Sequence, residues 1–263
     1  MTQRRILLFS LAMLLLSALP SVYAANEESL HIAVASNFIA PMQDLQKAFE
    51  TLHNVSLTVS YASSGKLYAQ IVNGAPYDVF LSADQTKPTL LTNNKYAIHS
   101  SQFTYAHGEL ILWSGRENLW SAGKILTHSD QTHNLASLFN SLQVKRFSMA
   151  NPKFAPYGLA AQKLLQNTYG TQKPPATKVQ GESISQAFQF VASGNVDIGF
   201  IARSQLPDYG SFWLLAEEDN PAINQDAVIL SASKQFATAS AFIEFLQSKE
   251  AKNIIQSHGY RTE

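Results

Sequence analysis

Residues Tyr61 to Gln85 read YASSGKLYAQIVNGAPYDVFLSADQ, and this stretch decides the fold class. It is entered from an alternating segment, VSLTVSY, that puts Val55, Leu57, Val59 and Tyr61 on one side of a strand. Leu67 and Ile71 mark a helix that stops at the breaker NGAP, and YDVFLSA then reads as a second strand. Strand, helix and strand within about thirty residues is the repeating unit of an α/β fold.

The alternation continues outward in both directions. LHIAVA reads as a buried strand, and Met42, Leu45, Phe49 and Leu52 share one face of a helix running from Pro41 to Leu52. Further strands are read at ELILW, RFSMA, VDIGFIA, FWLLA and DAVIL, and helices at Gly158–Thr168, Ile184–Ser193 and Phe236–Ser248. The expectation is an α/β protein with mostly parallel sheets flanked by helices.

Two segments share a layout. Ser64 opens a helix, Gly74 closes it and Asp78 begins DVFL; Ser183, Gly194 and Asp197 repeat this before DIGFI, with the same 14-position spacing from serine to aspartate. Chance similarity of two αβ units would account for this, and so would two similar lobes. On the second reading the lobes are residues 25–107 with 219–263, and residues 108–218. Glu117–His133 and TQKPPATK then serve as surface connections of the second lobe.

The N-terminus reads as a leader. Arg4 and Arg5 precede an apolar run from Ile6 to Leu19, followed by Pro20 and SVYA, with small residues at Val22 and Ala24. This is the pattern of a secretory signal peptide, residues 1–24, cut after Ala24. The run is shorter than the roughly 20 apolar residues that a membrane-spanning helix needs. The chain has no cysteine, which excludes a lipid anchor on cysteine, thiol catalysis, Cys-ligated metals and disulfides. Without Arg4 and Arg5 there remain 17 basic and 19 acidic residues, so the basic excess that nucleic acid or an anionic membrane would call for is missing.

Catalytic motifs fit poorly. Ser63-x-x-Lys66 has the spacing of serine acylases of the penicillin-binding type, but the partner motifs S-D-N and K-T-G are absent. A P-loop lacks its first glycine, and Leu67 stands where Ser or Thr should hold magnesium. His128 and His133, five apart in a polar loop, read as solvated residues rather than metal ligands. Asp78 and Asp197 read as strand-start residues making local backbone bonds, with a paired-carboxylate role as the alternative.

What recurs is a type of helix start. VASNF, YASSGK, NPKFAPYG and GESIS each put small or hydroxylic residues ahead of a helix. Ordinary N-capping explains any one of them. Four such turns at the carboxyl ends of strands are more informative, because in open α/β sheets ligands bind at that edge. There, free N–H groups and positive helix-dipole ends suit an anion.

These segments resemble a known family. VASNF with PMQDL, YASSGKL with GAPYDVFLSADQ, NPKFAPYGLAAQKLL and FVASGNVDIGFIARSQL are similar to the periplasmic molybdate-binding proteins of ABC uptake systems, over Leu30 to about Tyr260. The resemblance implies a two-lobed solute-binding protein of type II that closes on molybdate or tungstate and delivers it to an inner-membrane ABC permease. Carried over by position, Ser36, Asn37 and Ser64 bind the oxyanion from one lobe, and Tyr157 and Ile184 from the other. Ser36 and Ser64 would use hydroxyl and main-chain donors, Tyr157 and Ile184 mainly main-chain N–H groups, none coordinating the metal directly. One branch of the family has a tyrosine donor where this chain has Ala202. The resemblance further implies a periplasmic monomer with no cofactor, no catalytic residue and no nucleic-acid partner. The alternatives are a receptor for sulfate or another tetrahedral oxyanion and, from another class, a serine hydrolase.

Overall fold

A computed structural model describes residues 29–120, 122–127, 129–220 and 222–263 of the protein. The leader read at residues 1–24 and His128 lie outside the described residues.

In chain order the first part comprises β1 (Ser29–Ala35), α1 (Ile39–His53), β2 (Ser56–Ala62), α2 (Ser64–Val72), β3 (Val79–Leu81), α3 (Thr86–Asn93) and β4 (Phe103–Gly108). The middle part comprises β5 (Leu110–Ser114), β6 (Ile125–Leu126), α4 (Leu135–Ser141), β7 (Arg146–Ala150), α5 (Pro156–Tyr169), β8 (Thr177–Gly181), α6 (Ile184–Ala192), β9 (Ile198–Ala202) and β10 (Ser211–Leu215). Strand β11 (Ile223–Ile229) and helices α7 (Phe236–Gln247) and α8 (Lys249–Ser257) complete the described chain.

The strands form two sheets, ordered β2-β1-β3-β11-β4 and β6-β10-β5-β9-β7-β8. The first therefore takes strands up to Gly108 and recruits β11, while the second uses those from Leu110 to Leu215. Both sheets are mixed: five of the nine pairings are parallel. The antiparallel pairings all involve β4, β5, β10 or β11, the strands on either side of the two crossings between sheets. Those strands carry no crossover helix, which parallel pairing of successive strands requires.

Strand β1 explains its own apolar run. Leu30, Ile32 and Val34 face a core with Phe38, Met42, Leu45, Phe49 and Phe242, whereas Ala33 joins Phe80, Val228, Leu67 and Ile71 on the opposite face. A strand covered by helices on both sides reads as continuously hydrophobic. In the second sheet Leu110, Phe147, Met149, Phe200 and Trp213 pack with α4 and α5, while Ile111, Trp113 and Ile201 pack with Val191 of α6. One expected core residue lies outside: Leu52 is 65% exposed, because the last turn of α1 runs past the packed face.

The shared layout of two segments is a repeated βαβαβ unit. In the first sheet β1, α1, β2, α2 and β3 give the order β2-β1-β3; in the second, β7, α5, β8, α6 and β9 give β8-β7-β9. Gly74 (φ +85°) and Gly194 (φ +72°) end the corresponding helices in left-handed conformations that favour glycine. The two aspartates clasp the neighbouring strand. Asp78 Oδ2 accepts the His31 N–H at 2.8 Å, and Asp197 Oδ2 accepts Lys145 and Arg146 N–H, each at 2.9 Å. They bond backbone in separate sheets and form no carboxylate pair.

Candidate functional site

The carboxyl ends of β1, β2, β7 and β8 converge. Each leads into a turn: Ser36–Phe38, Ser63–Ser64, Asn151–Ala155 and Glu182–Ser183. Between them lies a small cavity, about 10 Å³ for the centre of a water-sized sphere. Ser36, Asn37, Ser64, Tyr157 and Ile184, the whole expected binding set, line it, and all are buried. Ser63 lines it as well. Among the described residues no acidic or basic side chain does.

N-capping accounts for only one of these turns. Ser183 caps α6 by accepting the Gln186 N–H at 3.2 Å. The Ser36 turn, Ser63 ahead of α2 and Ala155 ahead of α5 make no side-chain cap. The α-helical ladders leave donors at the cavity. In α2 the first bond runs from Leu67 N to Ser63 O, in α5 from Leu159 N to Ala155 O, and in α6 from Ala187 N to Ser183 O. The N–H groups of Ser64, Tyr157 and Ile184 stand ahead of those bonds, at the positive ends of three helix dipoles.

The hydroxyls are specialised. Ser64 Oγ accepts the Ala83 N–H at 2.9 Å, which fixes the oxygen and leaves its proton to donate. Ser63 Oγ is buried and has no hydrogen-bond partner among the described residues. A buried unsatisfied hydroxyl is costly, so its position on the cavity wall is informative. The expected binding set omits this serine. The signal for it, a second hydroxyl in the same turn, was visible but could not be told from a cap.

Two expected residues face partly elsewhere. Asn37 Nδ2 donates to Gln225 Oε1 and to the Tyr260 hydroxyl, both at 2.8 Å, so its amide is committed to the protein. Gln225 Nε2 donates to the Tyr157 hydroxyl at 3.1 Å, and Tyr105 OH donates to Gln225 Oε1 at 3.1 Å. This buried network ties β11, the strand that returns to the first sheet, to both sides of the cavity. Burial, with Tyr260 beside it, holds the Tyr157 phenol well above its ordinary pKa, so it stays protonated. Ala202 is buried at the end of β9, and neither Tyr157 nor Tyr260 supplies a free phenol in place of the tyrosine missing there.

The serine–lysine pair does not assemble. Lys66 Nζ lies 3.0 Å from Glu182 Oε2, while Ser63 Oγ bonds to nothing, so the lysine is not positioned to take the serine proton. His133 bonds Asp130 and Thr132 and stacks on Trp120, as a loop residue. Among the described residues no group of three or more His, Asp or Glu could hold a metal ion. A larger groove of about 570 Å³, floored by Phe147, Met149 and Leu165 and rimmed by Lys173 and Lys178, shares no residue with the expected set.

The cavity, its donors and the repeated units are features of solute receptors, and the comparisons agree. The family described as bacterial extracellular solute-binding protein matches residues 30–261. The molybdate-binding protein ModA of Azotobacter vinelandii is 37% identical over 242 residues, covering 90% of this chain and 91% of that protein. ModA of Rhodobacter capsulatus is 37% identical over 258 residues, covering 97% and 95%. The solved structure of the Azotobacter vinelandii periplasmic molybdate-binding protein superposes with a TM-score of 0.78 at 32% identity, covering 89% of this chain and 99% of that one. The sulfate-binding protein SubI of Mycobacterium tuberculosis, 12% identical with a TM-score of 0.62 over 89% of this chain and 86% of that one, shares the fold. This chain therefore belongs to the bacterial extracellular solute-binding proteins, in the group formed with the ModA molybdate-binding proteins.

Proposed function

We propose that the protein is an exported receptor that captures molybdate, or tungstate, between two lobes and passes it to an inner-membrane ABC permease. The lobes are residues 25–107 with 219–263, and residues 108–218. The leader is removed near Ala24, and the mature protein acts in the periplasm as a monomer without a cofactor. One observation carries the ligand class: a small cavity lined by helix-start N–H groups and serine hydroxyls, with no acidic or basic side chain among the described residues. Organic ligands occupy pockets of roughly 300–1,000 Å³, far more than this space offers.

Ser36 and Ser64 donate hydroxyl and N–H groups, Asn37, Tyr157 and Ile184 donate N–H groups, and the unpartnered Ser63 hydroxyl donates as well. A donors-only site favours a fully deprotonated dianion such as molybdate. Phosphate usually retains a proton, which would face donors. Sulfate has the right charge, and its rejection requires donors spaced for the longer bonds of a metal oxyanion, out of reach of its shorter ones.

A calorimetric panel of molybdate, tungstate, sulfate and phosphate tests this. Tight binding of the first two and weak binding of the others is expected. Equal affinity for sulfate and molybdate would remove the selectivity, and no binding of any anion would remove the reading.

A further inference from the structure

Gly65 is the second residue of α2, and its backbone gives no reason for glycine. Its φ is not positive, and helix propensity alone would favour alanine. The reason lies across the cavity. Gly65 N–H donates to Phe154 O at 2.8 Å, joining the first βαβαβ unit to the turn ahead of α5 in the second. A Cβ on Gly65 would stand 2.9 Å from Phe154 Cα and 3.0 Å from Phe154 O. The first distance is one that real Cβ atoms essentially never show and the second is tight, and the obstacle is backbone rather than the end of a flexible side chain.

Two further contacts cross the same gap. Lys66 Nζ meets Glu182 Oε2 at 3.0 Å, and Ser185 Oγ donates to Ser36 O at 2.8 Å. The three contacts lie next along the chain to the cavity wall: Gly65 and Lys66 follow Ser64, Phe154 precedes Ala155, and Ser185 follows Ile184.

We propose that Gly65 is a closure residue: its missing side chain lets the start of α2 dock on the Phe154 backbone and seal the anion between the lobes. Lys66 and Glu182 hold the rim of the same contact. The inference rests on the two-lobed receptor reading given above. Its distinctive feature is that the glycine serves the closed state and not the folding of either lobe.

The test compares the mature protein with Gly65→Ala. Ligand-free melting temperature, molybdate affinity by calorimetry and dissociation rate by stopped-flow tryptophan fluorescence are measured for both. The expected result is a ligand-free melting temperature equal to or above wild type, with molybdate affinity at least tenfold lower through faster release. Binding within twofold of wild type would overturn the proposal. So would a drop in ligand-free melting temperature matching the loss of binding, since glycine would then serve the fold.

A second arm needs no ligand. The chain lacks cysteine, so Lys66→Cys/Glu182→Cys can be linked by a short bis-maleimide only when the rims meet. Adding Gly65→Ala should slow this cross-linking severalfold, and an unchanged rate would overturn the proposal. Wild-type protein that binds no anion, yet whose cross-linking slows on adding Gly65→Ala, would refute the ligand assignment and leave the closure role standing.

Discussion

Replacing Ser64 and Ser63 separately by alanine distinguishes an anion cradle from a pair of structural serines. Both hydroxyls are buried in one turn, but their surroundings differ. Ser64 Oγ accepts the Ala83 N–H at 2.9 Å, so Ser64→Ala strands that buried donor. Stranding it should cost about 1–3 kcal/mol of stability. That corresponds to a fall in melting temperature of about 2–4 °C per kcal/mol for a chain of this size. The same substitution removes a hydrogen bond to a charged ligand, worth about 1.5–3 kcal/mol, or roughly ten- to a hundredfold in affinity. Ser63 Oγ has no protein partner to strand. Ser63→Ala should therefore leave ligand-free stability unchanged or slightly raised, while weakening molybdate binding by about tenfold. Differential scanning fluorimetry without ligand and calorimetry with molybdate read the two effects separately. A loss of stability in Ser63→Ala with unchanged affinity would show that this hydroxyl serves the helix start, and would refute the reasoning from its missing partner. A silent Ser64→Ala would refute the donor assignment itself.

Tyr157→Phe should act through the fold. Its hydroxyl accepts from buried Gln225, so the variant should lose about 1–3 kcal/mol of stability and change molybdate affinity by less than about threefold; a larger affinity loss at full folding would place the phenol on the anion. Molybdate affinity should be flat from about pH 6 to 9, since the cavity wall has no acidic or basic side chain and the Tyr157 phenol is raised above its ordinary value near 10; a step in that range would reveal an unrecognised titrating donor. The Lys66–Glu182 contact adds a limit at low pH. The hydrogen bond from Lys66 holds the Glu182 carboxyl below its ordinary value, so its contribution to closure is complete above that value and is lost as pH falls through the lowered one. Cross-linking of the wild-type rim lysine to the opposite carboxylate should decline there, and not near neutrality.

Local signals determined much of this protein. Apolar runs in β1, β7 and β9, the breaker at Asn73–Pro76 and the repeated serine–glycine–aspartate spacing specify an α/β chain with two related units, because strands covered on both faces must be hydrophobic along their whole length. Elements escaped where that rule does not apply. Strand β8 (TKVQG) is an edge strand with mostly solvated side chains, β6 has two residues, and α3 has almost no amphipathic pattern. Helix α4 carried a readable start, the reciprocal Asn134–Ser137 cap, just past the Glu117–His133 stretch that reads as a surface connection. The convergence of Ser36, Ser64, Tyr157 and Ile184 was legible by resemblance, and helix-start chemistry explains why those positions carry donors.

Tertiary structure decided which atoms are free. Asn37 and Ser63 look equivalent as polar residues in glycine- or serine-bearing turns, yet the Asn37 amide is bound by Gln225 and Tyr260 while the Ser63 hydroxyl is bound by nothing. Gly65 looks like a helix-start glycine of no consequence until Phe154, 89 positions along the chain, comes to 2.8 Å. Partners so distant in sequence are set by how the two sheets pack across the cavity, and no local pattern of residues records that packing.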